Sequence, residues 1–209
     1  METHVPREGI HSFRQFIVEV AMIVLGVLIA LAVEQVRERH HERKVAQEAR
    51  EGFRSEMELE RKALNFYFDR VKAPRESLEK FLAAEKAEKK GGATMATYEA
   101  PIWQFLPSGA WDAAVGTQAF SYMEPAEVQN YSLVHTGQLM FNRFAEQMQP
   151  VLADLDTFRG RTDLTPEEQR QRDHDIRTVL EYLSSIDQAG HALLRYFDLA
   201  TTGGAPTSQ

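Results

Sequence analysis

The apolar residues of this chain are first gathered into one unbroken block and then spread at helical spacing. Residues 20–33 read VAMIVLGVLIALAV, and extension back across Glu19 to Phe16 brings the block to 16–33. At about 1.5 Å of rise per residue such a helix reaches roughly 27 Å, close to the ~30 Å hydrocarbon thickness of a bilayer. The pattern predicts one transmembrane helix over 16–33. Glu19 lies one turn inside its N-terminal edge, a membrane-edge acid within reach of headgroups; deeper burial would cost on the order of 2–3 kcal/mol. A buried core helix is the first alternative, disfavoured because no charge interrupts 20–33 while the other helices of the chain are amphipathic. A cleaved signal peptide is the second, because Ala30-Leu31-Ala32 has a small-x-small form. The helical pattern running on through Val33-Glu34-Gln35-Val36-Arg37-Glu38 argues against cleavage there. Gly26 and Ala30 stand four apart, a transmembrane packing pair that lets a second helix approach.

After the block the pattern turns polar over 34–44 and then becomes one-sided. Val45, Ala49, Phe53, Met57, Leu64 and Val71 recur at helical spacing in a stretch with Gly52 and no proline, which predicts one continuous helix over 16–72. Pro74 predicts a break or kink, followed by helix over 76–88 and a stop at Gly91-Gly92. Residues 91–108 follow no helical period and are dense in aromatics, among them Trp103 and Phe105. Ser108 is placed to cap a short helix over 109–123, and Glu124-Pro125 to open a longer one through Val128, Tyr131, Val134, Leu139, Phe141 and Met148. Thr165-Pro166-Glu167-Glu168 is a capping box. The last helix runs from there to about Ala200, with Ile176, Val179, Leu183, Ile186 and Phe197 inward. No stretch alternates as a strand would.

The expected fold class is all-α: one N-terminal transmembrane helix continuing into a long stalk helix, then an antiparallel, up-and-down helical bundle. The organisation reads as an N-terminal tail over 1–15, the span over 16–33, a juxtamembrane stalk over 34–44, a bundle domain over 45–200 and a disordered tail over 201–209.

Composition narrows the function. The 209 residues include no cysteine, which excludes a disulfide scaffold, Cys-ligated metal and a thiol nucleophile. The net charge of -7 argues against a general nucleic-acid binder, which needs a surplus of Lys and Arg on one face. Around the span, Arg7 and Arg14 precede it while Arg37, Arg39, Arg43, Lys44 and Arg50 follow. By Lys/Arg count alone the C-terminal side is cytoplasmic, although Glu34, Glu38 and Glu42 are interleaved with those bases.

The span and the Trp111 region together resemble a family of bacterial single-pass membrane proteins of unknown function. The resemblance is carried by Glu19, Val20, Ile23, Val24, Gly26, Val27, Ile29, Ala30 and Leu31, then by Ser108-Gly109-Ala110-Trp111-Asp112-Ala113-Ala114 with Gly116, and by Tyr131 in the next helix. It implies an N-terminal spanning helix with a helical extramembrane domain in the bacterial inner (plasma) membrane. It also implies a periplasmic side for that domain, opposite to the Lys/Arg count, so the side stays open.

Reactive chemistry is sparse. There is no phosphate loop, dinucleotide fingerprint, G-x-S-x-G or H-E-x-x-H. His40 and His41 point about 100° apart on a helix and do not share a face. His174 sits between Asp173 and Asp175 on a solvated face, and His135 and His191 read as core histidines. Glu56, Glu58, Glu60 and Asp69 supply carboxylates, but a di-iron bundle needs two Glu-x-x-His pairs and only Glu38/His41 has that spacing. The expectation is therefore no catalytic residue, no metal, no cofactor and no enzyme. The expected partners are the lipid bilayer and either a larger membrane protein complex or a second copy of the chain. Trp103, Phe105 and Trp111 are the candidate interface, since aromatics in an irregular loop are enriched at binding surfaces. The alternative is a ligand-sensing bundle with 91–111 as a binding lid.

Overall fold

The computed structural model describes residues 13–88 and 105–202. All regular elements among them are helical: α1 (Phe13–Glu88), α2 (Gly109–Gly116), a 3-10 turn (Ala119–Tyr122), α3 (Pro125–Asp156) and α4 (Pro166–Thr202). The chain divides into two compact units, Met1–Val45 and Ala46–Gln209.

In the first unit α1 carries a window of mean hydropathy 2.9, long and apolar enough to cross a membrane, and none of it is buried. Large apolar side chains such as Ile23, Leu25, Leu28 and Leu31 stand more than half exposed. A soluble protein buries such side chains, each worth about 1.5–3 kcal/mol, against a partner surface.

The second unit is a three-helix core. From α1, Phe53, Met57, Leu64, Tyr67, Val71 and Leu78 are buried; from α3, Tyr131, Val134, Phe141, Met148 and Leu155; from α4, Ile176, Val179, Leu183, Ile186, Leu193 and Phe197. These residues repeat at three and four, so each helix turns one stripe inward. Contacts fix the directions. Phe53 meets Tyr131 and Tyr67 meets Phe141, so α1 and α3 run the same way. Arg61 meets Asp198, Phe68 meets His191 and Glu85 meets Arg172, so α4 runs against α1. The up-and-down order expected from the sequence holds for the α3–α4 hairpin, whereas α1 and α3 are parallel. The end of α1, where Glu85 meets Arg172, and the start of α2, where Ala110 meets Glu56, therefore lie at different levels of the unit.

Two glycines set the closeness of packing. A Cβ on Gly137 of α3 would fall 2.9 Å from Leu193 Cδ1, and one on Gly190 of α4 would fall 2.8 Å from Phe68 Cζ. At the far end of α1 the guanidinium of Arg172, 2% exposed, pairs with Glu85 and lies 4.6 Å from the centre of the Phe81 ring. Phe81 thus covers a charge whose removal would leave Glu85 half-buried and unpaired.

Several expectations are corrected. Pro74 neither breaks nor ends α1, which is continuous to Glu88. Pro74 is buried between Val71 and Leu78 on the core stripe, and that packing offsets the loss of one backbone donor, about 3 kcal/mol. Pro150 also lies inside α3, but on its exposed side. The helix expected over 109–123 stops at Gly116, because Gln118 adopts a left-handed conformation (φ 57°) before the 3-10 turn. Ser108 makes no side-chain cap bond. Leu139, expected inward, is 53% exposed. Thr201 and Thr202, assigned to the tail, extend α4, their hydroxyls donating to the Phe197 and Asp198 carbonyls. The predicted stop at Gly91-Gly92 lies outside the described residues, as do residues 203–209.

The capping box at the start of α4 is formed in both directions. The Thr165 N–H donates to Glu168 Oε2 at 2.7 Å, and the Glu168 N–H donates to Thr165 Oγ1 at 3.3 Å. Thr165→Ala is expected to lower stability by about 1 kcal/mol. The check is a urea melt of the full chain in detergent micelles; an unchanged midpoint would remove the box as a stabilising element.

Candidate functional site

Aromatic and ionisable side chains from several elements converge at the cover that α2 forms over α1 and α3. Phe53 stacks on Tyr131 with ring centres 4.0 Å apart, and Phe120 of the 3-10 turn lies 6.1 Å from Phe53. Trp111 stacks on His135 at 4.5 Å, with planes 3° apart, and leans on Phe120 at 4.8 Å. His135 is half-buried, and its Nδ1 is shielded from solvent without a hydrogen-bond partner. The sequence places this aromatic at α2 because Ala114, one turn beyond Ala110, faces the core, leaving Trp111 on the adjoining face.

Polar groups anchor this cover from beneath. The Ala110 N–H, one of the donors that a helix start leaves unsatisfied, donates to Glu56 Oε2 at 2.9 Å. The cap that Ser108 does not supply thus comes from α1. Gln138 Nε2 donates to Glu56 Oε1 at 3.2 Å and reaches both oxygens of Glu60 at 3.0 Å. Glu60 is 1% exposed. Burial pushes its carboxyl up to about 8, partly offset by the Gln138 bond, with the Glu56 charge adding to the rise. Just outside, Arg50 holds Glu127 through two bonds of 2.6 and 2.8 Å. That bond holds the Glu127 carboxyl below the ordinary range. The Tyr131 hydroxyl donates to Glu127 at 3.4 Å, and burial beside that carboxylate pushes it up to about 12. The end of the incoming segment is clasped by Asn142: its Oδ1 accepts from the Leu106 N–H at 2.9 Å and its Nδ2 donates to the Leu106 carbonyl at 2.8 Å.

The sequence-selected residues fall in separate places. Of the candidate interface, Trp103 lies outside the described residues, Phe105 is 48% exposed, and Trp111 is half-buried on His135. Glu19, Gly26 and Ala30 are exposed in the first unit, and nothing lies within 4 Å of a Cβ built on Gly26. His135 and His191 do not converge, since the first rests on Trp111 and the second on Phe68. Among the described residues no group of His, Asp and Glu is arranged to hold a metal ion. Of the four carboxylates singled out, Glu58 and Asp69 are exposed while Glu56 and Glu60 join the cluster. Sequence reasoning missed Glu60, Gln138, Arg50 and Asn142 as a working set. One signal was present: Glu60 stands in register with Phe53, Met57, Leu64 and Tyr67, a carboxylate on a core stripe.

A separate groove of about 370 Å³ opens on the α4 side of α3, lined by Met140, Phe144, Ala192, Arg195 and Tyr196 around Gly137. Most of the proposed lid, 91–104, lies outside the described residues.

Compared with protein-family models, with curated proteins and with solved structures, the chain matches none.

Proposed function

We propose that this protein is a single-pass membrane-anchored interaction protein, whose helical unit docks on a larger membrane complex or on a second copy of the chain. The observation that carries the reading is the 16–33 segment: apolar over a bilayer's thickness, helical, and with none of its residues buried. An apolar face of that size is stable in lipid or against another spanning helix, and the Gly26/Ala30 pair suits the second. The helical unit contributes a surface rather than a reaction centre: Phe105, Val115, Leu139 and Met140 are each about half exposed. The bacterial inner membrane is the setting that the resemblance described above implies.

The absence of cysteine makes the test clean. Gly26→Cys and Ala30→Cys, oxidised in native membranes, report a second copy by a disulfide-linked dimer. A photoreactive residue at Phe105 reports docking by a discrete adduct that disappears in a Trp111→Ala chain. A monomer in the first experiment together with no adduct in the second would overturn the proposal. The side of the membrane is read by labelling Ser55→Cys with an impermeant maleimide in intact cells.

A further inference from the structure

Glu56, Glu60 and Gln138 tie α2 to the bundle through a single donor. The Gln138 amide faces three carboxylate oxygens, at 3.0, 3.0 and 3.2 Å, while the remaining Glu56 oxygen holds the first turn of α2 through Ala110. One amide group has two N–H bonds to give. Glu56 is only half-buried and also accepts from the Ala110 N–H, whereas Glu60 is 1% exposed and has the Gln138 amide as its one donor, too little to hold a full negative charge there. No cation pairs with Glu60 among the described residues. The other groups around it do not change that balance. On α1 the neighbouring charge is Glu56, and Arg61 is turned outward onto Asp198. On α3, one and two turns from Gln138, His135 lies on Trp111 and Tyr131 on Phe53 and Glu127. From α4, Leu193 and Phe197 are buried at this level and carry no charge. While α2 is closed, Glu60 retains its proton.

We propose that α2 is a proton-latched flap: loss of the Glu60 proton to solvent is coupled to the lifting of α2 from the groove between α1 and α3. Lifting α2 removes the Ala110 contact from Glu56 and admits water to the carboxylate pair, where Glu60 ionises as an ordinary carboxylate. The faces of Trp111 and Phe120 that rest on the bundle are uncovered in the same motion. One proton is released on opening, so the open population rises about tenfold per pH unit. That window begins near the ordinary carboxylate value of 4.5 and closes near 8, where the closed state also loses the proton. The inference stands on the second unit alone and does not depend on the membrane reading.

The test is amide exchange at residues 109–116 in the full chain in micelles, corrected for intrinsic rates, from about pH 5 to 8. The expected result is protection that falls about tenfold per pH unit and stays below that of the α4 core around Val179 and Leu183 at every pH. Glu60→Gln is expected to flatten the dependence and His135→Gln to leave it. A flat profile in the wild type overturns the proposal. So does a slope that survives E60Q, a slope lost in H135Q, or α2 and α4 amides exchanging at one common rate. The wild-type profile and the α2/α4 comparison decide the matter even if E60Q fails to fold.

Discussion

Deleting residues 1–45 is expected to move the protein from the membrane pellet, where the full chain should resist alkaline carbonate, into the soluble fraction with its helical circular-dichroism signal retained. The second unit begins at Ala46, itself buried, and contains its own core. The deleted unit contains the apolar window, none of which is buried. The core residues of α1 from Phe53 to Leu78 are kept, while the surface that prefers lipid is lost. A milder variant grades the effect. Val24→Arg places a cation near the middle of the span, where insertion costs about 2.5–3.5 kcal/mol more than for an apolar residue, and should leave a measurable fraction uninserted. Release of the intact chain by carbonate would remove the anchor. A shortened chain that remains insoluble would show that the second unit does not stand alone.

The second large effect concerns stability against pH. Glu60 has a folded-state value raised to about 8 from an ordinary 4.5. Between those values the folded protein holds a proton that the unfolded chain has lost. Unfolding therefore releases a proton, and stability falls as pH rises through this window, by roughly 1 kcal/mol per pH unit, becoming level above it. Glu60→Gln keeps an amide the size of the protonated acid beside Gln138 and removes the titration. At pH 8 the variant should be more stable than the wild type by a few kcal/mol, and near pH 4.5 the two should agree to within about 1 kcal/mol. Urea melts at three pH values check this. A wild type whose midpoint does not fall from pH 5 to 8, or an E60Q chain that falls with it, would show that Glu60 is ionised in the folded state.

What was legible in the sequence is what depends on local periodicity. The apolar block, the inward stripes of α3 and α4 and the Thr165/Glu168 box all follow from spacing along one helix, and each is formed. The failures share a cause: they depend on a partner element. Pro74 reads as a break because its missing N–H is visible in the sequence, whereas its burial between Val71 and Leu78 is not. Ser108 reads as a cap because of its position, whereas the actual acceptor, Glu56, comes from a helix more than fifty residues earlier. Glu60 is visible as an anomaly on a core stripe, but its meaning comes from Gln138, 78 residues away. Leu139 fits the three-four repeat of α3 yet falls on the exposed side, since the stripe is narrower than the list of apolar residues. The candidate interface rests on its aromatics, and the one tryptophan that the structure describes is engaged with His135 rather than free.

The parallel course of α1 and α3 bears on how the chain is made. Arg50 waits for Glu127, and Glu60 for Gln138, at separations of 77 and 78 residues, and the α4 stripe that completes the core arrives later still. Synthesis at some 5–20 residues per second leaves Phe53, Leu64 and Tyr67 without a counterpart for several seconds. The α3–α4 hairpin, by contrast, pairs sequence neighbours and can assemble as soon as both halves emerge. The order of translation thus presents the first wall of the core before its complement exists, an apolar face exposed for the length of that delay.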